Sequence, residues 1–342
     1  MRILITVDPE IPVPPRTYGG IERIVDGLVR ALVNAGHEVG LIAREGSTCP
    51  ASRLFAWPGK RSRSALDTAR NTLCLAGAVR AFRPDVIHSF SRMAYLLPHL
   101  GGRCRIVMSY QREPSLRTVG LAARLAAPGI LIFTGCSAYI AGLGRRAGGV
   151  WHAVPNFVDT QKFDFRGVVE NDAPLVFLSR VESIKGAHLA IAIARKAGVH
   201  LLMAGNHADA GPEADYWRQR IAPEIGKDGI EYLGPVDDRQ KNELLGRARA
   251  MLVPIQWNEP FGIVFAEALA CGTPVISCPR GALPEIVRNG REGFLIETTE
   301  EGVEAVRRVG SVDRIACRDR AERHFSVNAV LGRYLDLYRN DT

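Results

Sequence analysis

Short apolar runs recur along the chain, each followed by a turn and then by apolar positions at helical spacing. In the first half Ile3–Val7, Glu38–Ala43, Val86–His88, Arg105–Ser109, Ile130–Gly135 and Trp151–Val154 read as buried strands. Ile21, Ile24, Val25, Leu28 and Leu32 share one helical face that stops at Gly36, and Ser64–Phe82 is a second helical stretch. The second half repeats the rhythm with strands Leu175–Leu178, Val199–Ala204, Ile230–Leu233, Ala250–Ile255, Val275–Ser277 and Gly293–Ile296. Two helices follow, and Ser326–Asn340 reads as a last helix with Val327, Val330, Leu331, Tyr334, Leu335 and Tyr338 on its apolar side. Such alternation implies an α/β protein with parallel sheets covered on both faces. Its sites belong at the carboxyl ends of the strands.

One strand, turn and helix unit carries the most chemistry. The strand Ala250–Ile255 leads to Glu259 and Pro260; Gly262 opens a helix that holds Glu267 and stops at Gly272, and Pro274 starts the next strand. The leading amides of a helix lack internal partners and its dipole favours negative charge, so a Gly-opened helix suits a phosphate. Glu259 and Glu267 have only acceptors to offer and fit two sets of hydroxyls around that phosphate; equally, they read as solvated turn and surface residues. Arg180 and Lys185 lie in a similar turn after Leu175–Leu178, where two cations would neutralise a diphosphate or merely decorate a basic helix start. After the first strand, Gly19 and Gly20 open a helix without a GxGxxG pattern, which alone requires no more than tight turn geometry.

Glu259 and Glu267, set in EPFGIVFAEALACGTPVI and followed by GALPEIV, resemble the signature of retaining family 4 glycosyltransferases. That resemblance implies the GT-B fold: two Rossmann-like parallel-sheet domains facing across a cleft, with a C-terminal helix crossing back to the first. Residues 1–157 with 326–342 would form the acceptor-side domain, and 158–325 the nucleotide-sugar domain. It implies a nucleoside diphosphate sugar as donor, UDP-linked or else GDP- or dTDP-linked, with no cofactor and no metal. Arg180 and Lys185, in a turn similar to the family's GRxxxxKG with Ser179 for Gly, would act with Glu259 in catalysis. Gly19, Gly20, Gly205, Gly234, Pro260, Phe261, Gly262, Ile263, Val264 and Glu267 would bind the donor, Glu267 through the ribose. His88, Tyr110 and Gln111 would face the acceptor. Here the chain departs from the family: Phe90 and Gln111 stand where relatives commonly have His, and Phe157 where VPNFVD would have Gly. A Gln is no general acid or base at neutral pH. His88 also reads as a hydrogen-bonded buried residue.

Composition changes the picture only modestly. At 46% hydrophobic and 23% charged, the 342 residues describe a globular protein with room for two cores. The sequence MRILITV meets Asp8 before any signal-peptide region, and seven Cys without a CxxC point to a reducing cytoplasm and no structural zinc. Residues 1–157 hold 20 Lys and Arg against 9 Asp and Glu, a balance of +11, whereas the remainder holds 24 against 27, a balance of −3. No basic run is interleaved with aromatics, which argues against nucleic acid; weak peripheral membrane contact through the first half stays open. The expected function is sugar transfer to a small-molecule, oligosaccharide or lipid-linked acceptor in specialised metabolite (antibiotic) or oligosaccharide biosynthesis. The alternative is a catalytically silent nucleotide-sugar-binding protein of the same fold.

Overall fold

A computed structural model of the protein describes residues 1–15 and 19–339. The chain divides into two units, Met1–Phe157 with Val327–Thr342 and Val158–Ser326, each built on its own parallel sheet. In unit 1 the elements run β1 (Arg2–Thr6), α1 (Gly20–Asn34), β2 (Glu38–Ala43), β3 (Arg53–Ala56), α2 (Ala65–Phe82), β4 (Val86–Ser89), α3 (Met93–Leu96), β5 (Arg105–Tyr110), α4 (Leu116–Leu125), β6 (Leu131–Gly135), α5 (Ala138–Arg145) and β7 (Val150–Ala153). The sheet order is β3-β2-β1-β4-β5-β6-β7. Central strands are buried throughout, as their apolar runs require, and Phe82, Tyr95, Phe133 and Trp151 fill the core beside them. β3 has no counterpart among the expected strands: it is a four-residue edge strand with mostly exposed side chains, so no apolar run marks it.

Unit 2 runs β8 (Leu175–Leu178), α6 (Ala187–Ala197), β9 (Leu201–Ala204), α7 (Pro212–Tyr216), β10 (Ile230–Gly234), α8 (Asp238–Arg247), β11 (Ala250–Val253), α9 (Ile263–Ala270), β12 (Val275–Ser277), α10 (Leu283–Ile286), β13 (Gly293–Leu295), α11 (Thr299–Arg308) and α12 (Arg314–Phe325). Its order is β10-β9-β8-β11-β12-β13. Helix α12 packs along α9, and its Arg318 guanidinium donates to the carbonyls of Ala270 (2.6 Å), Phe163 (2.8 Å) and Thr160 (3.0 Å). The carboxyl end of α9 is thereby fixed.

The last helix, α13 (Val327–Arg339), belongs to unit 1 and packs on α1 and β5; residue 340 of the expected helix lies outside the described residues. Buried Tyr334 and Tyr338 carry its apolar side. Among the described residues, no helix is long and apolar enough to cross a membrane.

Candidate functional site

In unit 2 the strand order reverses between β8 and β11, the place where an open parallel sheet leaves a crevice at its strand ends. The turns leaving these two strands bring Lys185 and Glu259 together. The Lys185 ammonium bonds Oε2 of Glu259, and the two side chains are only 11% and 10% exposed. Trp257 joins them: its Nε1–H donates to the same carboxylate oxygen at 2.9 Å, and Lys185 Nζ lies 4.8 Å from its ring centre. Charges this far out of water persist only when paired, so the three side chains hold one another in place. Arg180 is about half exposed, its guanidinium on Glu182. Glu213 on α7 grips the turn between them, accepting both the N–H and the Oγ–H of Ser183 at 2.7 Å.

The backbone of Glu259 is fixed from the other side. It bridges to Gly281, whose φ is +61°, and a Cβ there would lie 2.3 Å from the Glu259 carbonyl oxygen. Only glycine fits, which accounts for the GALPEIV turn.

Gly262, left-handed at φ +82°, starts α9, and no side chain caps that end. Pro260 and Phe261 fill the turn, Phe261 edge-on to Phe325 at 5.6 Å, while Ile263 and Val264 are the partly exposed leading residues of the helix. One turn on, Glu267 Oε1 accepts the Lys241 ammonium at 2.7 Å. At the neighbouring strand ends, Gly205 N–H donates to the Gly234 carbonyl at 2.9 Å and Tyr232 Oη–H donates to the Gly205 carbonyl at 2.6 Å.

Unit 1 reverses its strand order between β1 and β4. A cavity of about 280 Å³ lies at that strand-end region, lined by Asp8, Phe90, Ser91, Tyr110, Gln111 and Arg112 among others. Beneath it the hydroxyls of Thr6, Ser89 and Ser91 interlock at 2.8–3.0 Å. Asp8 Oδ2 faces Arg112 at 3.5 Å, but Asp8 Oδ1 and Gln111 Nε2 are buried with no hydrogen-bond partner among the described residues. Burial, with Glu10 nearby, pushes the Asp8 carboxyl up to about 6. Burial pushes the Tyr110 hydroxyl up to about 12, its ring lying 5.4 Å from Trp151.

Of the two readings of His88, the structure carries the hydrogen-bonded buried residue. It is fully buried, with Nδ1 at 2.6 Å from Tyr338 Oη and Nε2 at 2.7 Å from Ser109 Oγ, and burial holds it down to about 3. It joins β4 and β5 to α13. Gly19 and Gly20 begin α1; Thr17 and Tyr18 before them lie outside the described residues.

Residues 18–162 match the family model Glycosyltransferase Family 4, and residues 159–321 match Glycosyl transferases group 1. The two matches tile nearly the whole chain. Together they support a family 4 glycosyltransferase. A relative from Nocardioides sp., named D-inositol 3-phosphate glycosyltransferase, is 30% identical over 198 residues, covering 51% of this chain and 43% of that protein. The match thus spans less than half the length of that curated relative. Among solved structures, AviGT4, a glycosyltransferase involved in avilamycin A biosynthesis, superposes with TM-score 0.73 and 24% identity over 99% of this chain and 97% of its own. HepE of Anabaena, in complex with UDP and glucose, gives TM-score 0.72 and 18% identity over 98% of each chain. At these identities the likeness shows the fold, GT-B with two Rossmann-like domains.

Several site-proximal residues escaped the sequence reading. Trp257, Glu213 and Lys241 hold the expected residues rather than match a motif, so only the folded chain shows their partners. Asp8 carried one legible signal, an acidic residue just beyond a buried strand.

Proposed function

We propose that the chain moves a sugar from a nucleoside diphosphate sugar to an acceptor hydroxyl, with retention at the anomeric carbon and without a metal. The observation that carries this reading is the buried Lys185–Glu259 pair beside Arg180 at the β8/β11 reversal, next to the uncapped start of α9. As the anomeric C–O bond breaks, its electron pair moves to the diphosphate. Arg180, Lys185 and the amides of Gly262, Ile263 and Val264 are suited to hold that charge. Glu259 accepts from sugar hydroxyls and Glu267 from the ribose, with Gly205 and Gly234 near the base. The acceptor oxygen bonds the anomeric carbon on the departing face, and its proton goes to the leaving phosphate oxygen. HepE, solved with UDP, supports UDP as the nucleotide, with GDP and dTDP as the other candidates.

The cavity with Asp8, Tyr110 and Gln111 supports an acceptor rich in hydroxyls, whether small molecule, oligosaccharide or lipid-linked; we assign the reaction to cytoplasmic biosynthesis of a specialised metabolite or oligosaccharide. The test is a thermal shift panel of UDP, GDP, dTDP, ADP and CDP on the wild type and Arg180→Ala, followed by nucleotide release with sugar donors and acceptors, with and without chelator. A ligand at a hundred times its dissociation constant adds about 2.7 kcal/mol. One nucleotide stabilising only the wild type, with chelator-insensitive turnover, is expected. Full transfer by Arg180→Ala would sink the assigned roles. Gln111 in the cavity favours one second reading, a silent binder, which would show nucleotide binding without turnover on any acceptor.

A further inference from the structure

The two carboxylate oxygens of Glu267 differ. Oε1 takes the Lys241 ammonium at 2.7 Å, and Oε2 has no hydrogen-bond partner among the described residues. The paired side chains are 16% and 14% exposed, so the bond is largely shielded from water and firmer than a surface ion pair. Lys241 is itself held in place. Helix α8 is capped by Asp237, which trades hydrogen bonds with Gln240 at 2.7 and 2.9 Å in a capping box. The ammonium also lies 5.5 Å from the Phe163 ring centre, and its other carboxylate neighbour, Asp238 at 3.3 Å, is 64% exposed and adds little.

We propose that Lys241 is a positioning residue that fixes Glu267 so that the site distinguishes a ribose from a 2′-deoxyribose, an inference resting on the donor reading above. A carboxylate anchored through one oxygen keeps its plane. The open lone pairs of Oε1 and Oε2 then meet two adjacent hydroxyl donors at once. A sugar with a single hydroxyl leaves one of those acceptors unused. Without the ammonium, the carboxylate rotates freely and must be ordered by the ligand itself.

The experiment is calorimetric titration of the wild type, Lys241→Met and Lys241→Arg with UDP and with 2′-deoxy-UDP. The wild type should prefer UDP by about tenfold, the effect of one well-placed hydrogen bond. Lys241→Met should bring that ratio close to one, mainly by weakening UDP, and Lys241→Arg should restore most of it. Lys241→Gln replaces the Met variant if that one fails to fold. A neutral variant that keeps the wild-type ratio, or that weakens both nucleotides equally, overturns the inference and leaves the donor site standing. A wild type that binds neither this pair nor GDP and its 2′-deoxy form overturns the donor reading and this inference with it.

Discussion

The strand ends of the two units are built on opposite terms. In unit 2 the charged groups come in pairs: Lys185 with Glu259, Arg180 with Glu182, Lys241 with Glu267. In unit 1 the cavity keeps buried polar atoms without partners among the described residues, Asp8 Oδ1 and Gln111 Nε2, above a layer of hydroxyls that satisfy one another. Paired charges hold a fixed geometry before any ligand arrives. Unpaired polar atoms are a standing cost that a ligand or water relieves. The contrast fits a site preorganised for a constant ligand part in unit 2 and a more particular one in unit 1.

The contrast breaks most visibly at Glu259. Truncation to Ala leaves the Lys185 ammonium buried and unpaired, so unit 2 should lose about 3–5 kcal/mol in urea melts. Replacing both partners, Lys185→Met with Glu259→Leu, should recover most of that stability while transfer stays at least about a hundredfold down. If the single and double variants melt alike, the pair is not what holds these turns.

The same operation in unit 1 should have the opposite sign. Gln111→Leu removes a buried donor that has no partner among the described residues and keeps comparable bulk, so it should leave stability unchanged or raise it by about 1 kcal/mol. Acceptor KM should rise while nucleotide binding stays at the wild-type level. A clear loss of stability in the Leu variant would mean that Gln111 is already satisfied, and the contrast between the units would disappear.

How much of this was legible in the sequence follows from the same physics. Apolar runs and helical spacing placed β1, β2, α2, β8 and β12 to within about a residue, because burial on both faces of a parallel sheet leaves little choice of residue type. The edge strand β3 escaped because it has no buried face. Arg180, Lys185 and Glu259 stood out as residues in strand-to-helix turns, and Glu267 as a carboxylate on the helix that follows. Their partners did not, since Lys241 and Glu267 are 26 positions apart and strand order is set by packing that no local pattern records. His88 fell between two readings, a strand-end His in a motif-like stretch, and only the hydroxyls of Ser109 and Tyr338 show it sealed in the core.

The finest test of the contrast lies in pH. The Asp8 carboxyl sits at about 6 in the fold against 3.8 for the free group, because burial disfavours its charged form. Between those values the folded chain binds the proton more tightly than the unfolded chain, so stability falls as pH rises from about 4 to 6 and levels off above. Asp8→Asn keeps the shape and cannot ionise. The stability of Asp8→Asn relative to wild type should therefore climb through that window and plateau near neutrality. The full shift corresponds to about 3 kcal/mol, and a water-accessible cavity brings the expected gain nearer to about 1 kcal/mol. His88, held low by burial, acts in the opposite direction, losing stability as pH falls below its ordinary value of 6.5. It is present in both proteins and cancels in the difference. A difference that stays flat from pH 4 to 7 would place Asp8 in water, already satisfied, and would leave the contrast to rest on Gln111.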